Sequence, residues 1–143
     1  MKIHRSIGAV SHGIIDYAFV ILLATGPSVT GSGFTGKQAT WAYVFAAVLF
    51  VLAVLTRYPL GILKHVGLAI HGFVELLFAL CLIAAPWFGG FSRGVLSRNF
   101  YLTMGLLMLV LWCLTDFRGI RDRRASALSA DENRSADDAD VRR

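Results

Sequence analysis

Acidic side chains are almost missing from the first 115 positions of this 143-residue chain, where Asp16 and Glu75 are the only two. The same stretch holds seven basic residues: Lys2, Arg5, Lys37, Arg57, Lys64, Arg93 and Arg98. Charged residues make up 16% of the chain, against about 25% in an average soluble protein. A water-facing surface cannot be assembled from that inventory, whereas a lipid-facing one can. Cysteine is also scarce. Cys81 and Cys113 lie inside apolar runs without CxxC spacing, which excludes a disulfide scaffold and a thiolate zinc site and leaves small apolar packing residues. The net charge of +5 does not make the chain a nucleic-acid binder, because no aromatic-basic patch accompanies it. Nucleophile-base sets, phosphate loops and nucleotide fingerprints are missing too, so nothing marks the chain as an enzyme.

What is present is apolar length. Hydrophobic residues make up 56% of the chain, concentrated in four runs at about Ile7–Val29, Thr40–Thr56, Ile62–Phe88 and Phe100–Phe117. Each is long enough to cross a hydrocarbon core of roughly 30 Å as a helix. Backbone in lipid must satisfy its own hydrogen bonds, so such runs are helices rather than open strands. The first run contains His12 and Asp16 and is matched later in the chain, which reads as a retained span rather than a signal peptide. Residues 118–143 mix seven Arg with six acids and have no apolar period, the composition of a disordered tail. Basic residues set the orientation. Lys2, Arg5, Arg57, Lys64, Arg118, Arg121, Arg123 and Arg124 fall on one side, against Lys37, Arg93 and Arg98 on the other. Both termini are therefore expected in the cytoplasm of a bacterial inner (plasma) membrane, with Trp41 and Trp87 near the outer interface.

A shift of 59 residues superimposes the two halves. Gly8 meets Gly67, His12-Gly13 meets His71-Gly72, Asp16 meets Glu75, Pro27 meets Pro86, and Leu55-Thr56 meets Leu114-Thr115. The expected organisation is a transmembrane hairpin at 1–60, a second at 61–117 and the tail at 118–143. Two spans per repeat make the repeats parallel, related by a pseudo-twofold axis along the membrane normal. The fold class is all-α, an integral membrane four-helix bundle made of two tandem hairpins. The run Leu82-Ile-Ala-Ala-Pro86-Trp87, followed by Gly89-Gly90-Phe91, Asn99 and Gly105, resembles the SPW-repeat family of small prokaryotic membrane proteins. That family is named for a Ser-Pro-Trp motif closing the first helix of each hairpin. This chain departs from it with Ala85-Pro86-Trp87 in one copy and Gly26-Pro27-Ser28 in the other. The resemblance implies a fold and a membrane location, and no reaction.

The pairs His12/Asp16 and His71/Glu75 carry the functional interest. Spacing of i, i+4 puts each pair on one helix face. Each carboxylate lies 11 residues after a basic residue (Arg5, Lys64) and 11 before a proline (Pro27, Pro86), roughly 16 Å from either, near the bilayer midplane. A carboxyl group there costs on the order of 2.5–3.5 kcal/mol on insertion scales, so a compensating partner is expected. The pseudo-twofold axis supplies one by bringing the two faces together, with Gly8, Gly13, Gly67 and Gly72 permitting close helix approach.

Four readings follow from these residue types. Reciprocal pairing of His12 with Glu75 and His71 with Asp16 would lock the hairpins. Two imidazoles and two carboxylates could instead chelate one divalent transition metal, zinc or iron. His12 and His71 could ligate a b-type haem, which with the metal reading would make the chain a haem- or metal-dependent membrane redox protein. The group could relay protons. The cofactor is thus a metal, a haem or none. The expected partners are the lipid bilayer and a homo-oligomer or larger membrane complex in which the chain is an accessory subunit, with no nucleic acid. Other polar or soft side chains read as structural. His4 and His65 lie at the interface, Met104 and Met108 pack in the core, and Asp116 pairs near Arg118.

Overall fold

The structure, a computed structural model, describes residues 7–29, 34, 36–57, 59–115, 126, 128–131 and 134. Four helices follow in order: α1 (Ala9–Val29), α2 (Gly36–Leu55), α3 (Leu68–Phe88) and α4 (Val95–Leu114). All four are long and apolar enough to cross a membrane. The described residues of the tail, Ser126, Leu128, Ser129, Ala130, Asp131 and Arg134, carry helical backbone.

The apolar runs become a bundle through spacing. The residues that turn inward on α1 are His12, Asp16, Phe19, Leu23 and Gly26, steps of four and three. α3 repeats this with His71, Glu75, Phe78, Leu82 and Ala85. α2 buries Gln38, Ala42, Phe45, Leu49 and Leu52, and α4 buries Ser97, Tyr101, Met104, Met108 and Leu111. A four-three alternation is a seam that lets antiparallel helices interdigitate knobs into holes. Every one of these α3 and α4 positions lies 59 residues beyond its α1 or α2 counterpart. The opposite faces carry Ile14, Ile21, Phe73, Leu80 and Leu106, all exposed. Apolar side chains on both the inner and outer faces suit helices solvated by lipid.

α1 packs along α2 and α3 along α4, and lesser contacts join α1 to α4 and α2 to α3. Gly105 makes the second pairing close. A Cβ there would stand 2.7 Å from Ile83 Cγ1 and 2.9 Å from the Ala79 carbonyl. α1 and α3 begin at the end of the bundle where α2 and α4 finish. Parallel bridges tie Ile7 to Thr115 and Val66 to Thr56 there. The carbonyls that end α2 are satisfied by the connector: Ile62 and Leu63 donate to Val54, and His65 and Val66 to Leu55, all at 2.8–3.0 Å. This is why α3 begins at Leu68 and not at Ile62, where hydropathy alone starts the run. Ile62 and Leu63 are apolar but cap the preceding helix. α2 and α4 also begin earlier than their apolar runs, at Gly36 and Val95. Ser97, Arg98 and Asn99 are therefore helical residues. The opposite end is closed by rings, with Phe34, Phe91 and Phe100 each against Tyr101. The Tyr101 hydroxyl donates to the Gln38 carbonyl at 2.6 Å.

Candidate metal centre

His12 and Asp16 are placed by α1, His71 and Glu75 by α3, and all four are fully buried. The two imidazoles meet tip to edge across the bundle axis, with ring planes at 78° and Nε2 atoms 3.3 Å apart. Asp16 Oδ2 stands 3.3 Å from His71 Nε2 and 3.6 Å from His12 Nε2. Glu75 Oε2 stands 3.4 Å from His12 Nε2. The two cross-helix pairings are the same pairing repeated at the 59-residue shift, since His12 to Glu75 matches His71 to Asp16. Potential ligand atoms of His12, Asp16 and His71 all lie within 4.8 Å of one another, close enough to share one ion. Glu75 joins that group through His12.

None of the four carboxylate oxygens accepts a hydrogen bond from a described residue. Burying a charged group without hydrogen bonds or a counter-ion carries a large desolvation penalty. The site is therefore a cluster of two imidazoles and two carboxyl groups held in an apolar surround. On the side toward the aromatic end lie Phe19, Leu23, Leu49, Phe78 and Leu82, all buried.

The far nitrogen of each ring is held from the other half of the chain. His12 Nδ1 is 3.0 Å from Thr115 Oγ1, and His71 Nδ1 is 2.7 Å from Thr56 Oγ1. These threonines, both fully buried, follow the last residues of α4 and α2. Sequence reasoning registered Thr56 and Thr115 as matched positions of the repeat but gave them no role. Trp112 was missed altogether: its Nε1–H donates to the Gly72 carbonyl at 2.6 Å.

Two expectations about the site are corrected. The cluster is not centred along the spans. α1 starts at Ala9, so His12 lies about 4.5 Å and Asp16 about 10 Å from the beginning of the helix. Ile7 and Gly8 precede the helix, so the 11 residues counted from Arg5 are not 11 residues of helix. Nor do Gly8 and Gly67 mark a close helix approach, because a Cβ at either would meet nothing within 4 Å. They precede the helices rather than lying in their contact faces. Gly13 and Gly72 are buried, and the Gly72 carbonyl receives an α4 side chain.

The remaining candidates stay outside the cluster. Tyr17 donates to the Leu60 carbonyl at 3.3 Å. Met104 and Met108 pack in the core, Trp41 and Trp87 face outward, and His65 is exposed. Cys113 is half-buried, while Cys81 faces outward rather than packing inside. His4, Asp116 and Arg118 lie outside the described residues.

Together these features define a multi-pass membrane-protein fold, four helices around a buried His/Asp cluster. No family model, curated protein or solved structure matches the chain.

Proposed function

We propose that the chain is a small multi-pass membrane module that binds one divalent transition metal between its two hairpins, through His12, His71, Asp16 and Glu75. The observation that carries this reading is the spacing of the donors. Neighbouring ligands of a tetrahedral ion with bonds of about 2.0–2.2 Å lie about 3.3–3.6 Å apart. Within the group of His12, Asp16 and His71 the separations are 3.3, 3.3 and 3.6 Å, and Glu75 Oε2 stands 3.4 Å from His12 Nε2. Charge points the same way. Two carboxylates and two neutral imidazoles need two positive charges to leave a neutral site in a medium that penalises any residue of charge. Imidazole with carboxylate suits zinc or ferrous iron. His12, His71 and Asp16 lie together as three donors; Glu75, beside His12, would close the coordination sphere by turning toward the ion, which favours a binding or structural role over a catalytic one.

Other readings find less support. With the Nε2 atoms 3.3 Å apart and flanked by carboxylates, a porphyrin has no slot between them. A proton relay has no continuation past Phe19, Phe78, Leu23 and Leu82. Reciprocal His–carboxylate pairing shares the geometry, and an ion would strengthen that same bridge. The distribution of basic residues supports a prokaryotic plasma-membrane setting with cytoplasmic termini. Pro27 and Pro86, both buried near matching helix ends, support the likeness to SPW-repeat proteins. The outward apolar faces fit lipid, a second copy or the helices of a larger complex.

The test is elemental analysis of detergent-purified protein. About one zinc or iron per chain is expected, falling to background in His12→Ala and His71→Ala. A wild-type chain that neither carries metal nor takes up added Zn²⁺ in titration calorimetry overturns the proposal.

A further inference from the structure

We infer that Thr56 and Thr115 are positioning residues of the metal centre, each turning the Nε2 lone pair of a histidine of the opposite hairpin toward the ion. This rests on reading the cluster as a metal centre, and it begins with the threonine hydroxyl protons. Thr56 Oγ1 stands 2.6 Å from the Leu52 carbonyl oxygen, and Thr115 Oγ1 stands 2.8 Å from that of Leu111. Two oxygens so close need a hydrogen between them, so each hydroxyl donates to the carbonyl one turn back. The proton is thereby used. What the hydroxyl oxygen has left is lone pairs, and the imidazole nitrogen facing it must be the donor. His71 Nδ1–H therefore donates to Thr56 Oγ1 at 2.7 Å, and His12 Nδ1–H to Thr115 Oγ1 at 3.0 Å.

A neutral imidazole with its proton on Nδ1 carries a lone pair on Nε2. Both Nε2 lone pairs then face the cluster centre, 3.3 Å apart and beside the carboxyl oxygens, an arrangement that calls for a cation or a proton between them. Had the threonines been donors to Nδ1, each Nε2 would carry the proton. The cluster would then be a pair of ordinary N–H to carboxylate hydrogen bonds. The backbone carbonyls of Leu52 and Leu111 thus decide, through one hydroxyl each, that the centre is built of lone pairs. A second group that fixes the tautomer and orientation of a metal-ligating histidine is the usual outer shell of such sites.

The arrangement also crosses the hairpins. Thr56 ends the first hairpin and holds His71 of the second; Thr115 ends the second and holds His12 of the first. The same crossing appears in the backbone, where Ile7 bridges to Thr115 and Val66 to Thr56. Neither histidine can be aimed until the two hairpins have docked. The ion site is therefore completed by the assembly of the bundle rather than by either half.

Full-length protein in detergent, titrated with Zn²⁺ and separately with Co²⁺ for its visible ligand-field bands, provides the test. Thr56→Val and Thr115→Val keep the side-chain shape and remove the hydroxyl, and each is expected to weaken Zn²⁺ binding about 10–100-fold. Thr56→Ser and Thr115→Ser, which retain the hydroxyl, are expected to restore it. Melting temperatures of metal-free wild type and Ser variants establish that the fold is kept. Val variants that bind Zn²⁺ as tightly as wild type, or Ser variants no better than Val, overturn the inference. Nitrogen-15 imidazole shifts of the metal-free wild-type protein test it independently of any ion. Protonated Nδ1 is expected for both His12 and His71, and an unprotonated Nδ1 on both overturns it. Wild-type protein that fails to bind Zn²⁺ while showing the expected tautomer rejects the metal reading and upholds the threonine assignment.

Discussion

Asp16 and Glu75 are the residues the bundle would do best without, were it only a bundle. Their oxygens are buried and accept no hydrogen bond from a described residue, and a carboxylate so placed destabilises a fold unless a cation meets it. Asp16→Asn and Glu75→Gln keep the shape, remove the charge and add N–H donors that can reach a histidine Nε2. Each is expected to weaken Zn²⁺ binding while raising the unfolding free energy of metal-free protein by about 1–3 kcal/mol. Thermal unfolding with chelator present, beside metal titration, separates the two effects. A metal-free chain destabilised by both substitutions would mean that the carboxylates are structural partners first. At the opposite end, Tyr101 is fully buried and its hydroxyl meets the Gln38 carbonyl at 2.6 Å. Tyr101→Phe is expected to cost about 1 kcal/mol and to leave metal binding unchanged. Loss of metal binding in that variant would show that the two ends are coupled.

The helices show where residue patterns stop being legible. Four spans can be read from apolar length alone, but the inward face of each cannot, because lipid-facing positions such as Ile21 and Leu80 are as apolar as the buried Leu23 and Leu82. Only the polar exceptions reveal it: His12, Asp16, His71 and Glu75 must point inward, and the four-three steps then extend the face along α1 and α3. Helix starts were misread where hydropathy and backbone roles diverge, as at Ile62 and Leu63. Thr56 and Thr115 were legible only as a matched pair. A threonine at a helix end usually bonds its own backbone, and nothing local says that its oxygen also receives a histidine from the other hairpin. Glycine positions misled in the same way. Gly8 and Gly67 match across the repeat, but open space surrounds both. Gly105, with its would-be Cβ against Ile83 and the Ala79 carbonyl, has the tight contact although its counterpart is Ala46. Gly105→Val is therefore expected to lower stability by about 1–3 kcal/mol through overpacking, whereas Gly8→Ala stays within about 0.5 kcal/mol of wild type. Detergent melting curves of the two compare them directly, and a tolerated valine at Gly105 would mean that α3 and α4 slide apart freely.

The helix pairs also differ in how the 59-residue correspondence has been filled. Phe100 packs its ring over Gly26, where a Cβ would strike it. The equivalent positions are Trp41 and Ala85, and there an apolar groove of about 410 Å³ opens between α2 and α3, lined by Trp41, Phe45, Leu77 and Cys81 among others. One seam is closed by a ring over a glycine, and the other, with Ala85 at the matching position, opens into a groove. Contacts between hairpins are sparser than those within them, and α1 and α3 bring His12, Asp16, His71 and Glu75 together between them. An ion at that point would join the two hairpins where other packing is thin. Anything that binds only the assembled state stabilises it by mass action, about 2.7 kcal/mol when free ligand is at 100 times its dissociation constant. Zn²⁺ is accordingly expected to raise the melting temperature of the wild-type chain, with the rise saturating near one equivalent at protein concentrations far above the dissociation constant. Chelator should reverse it. His71→Ala should melt at one temperature with or without the ion. Because ligands must shed their protons to bind, the zinc-dependent rise should shrink as pH falls and vanish in acid, where metal-free and metal-treated curves coincide. A wild-type melting temperature indifferent to zinc at neutral pH would mean that the hairpins are held without the ion and that the four donors meet for another reason.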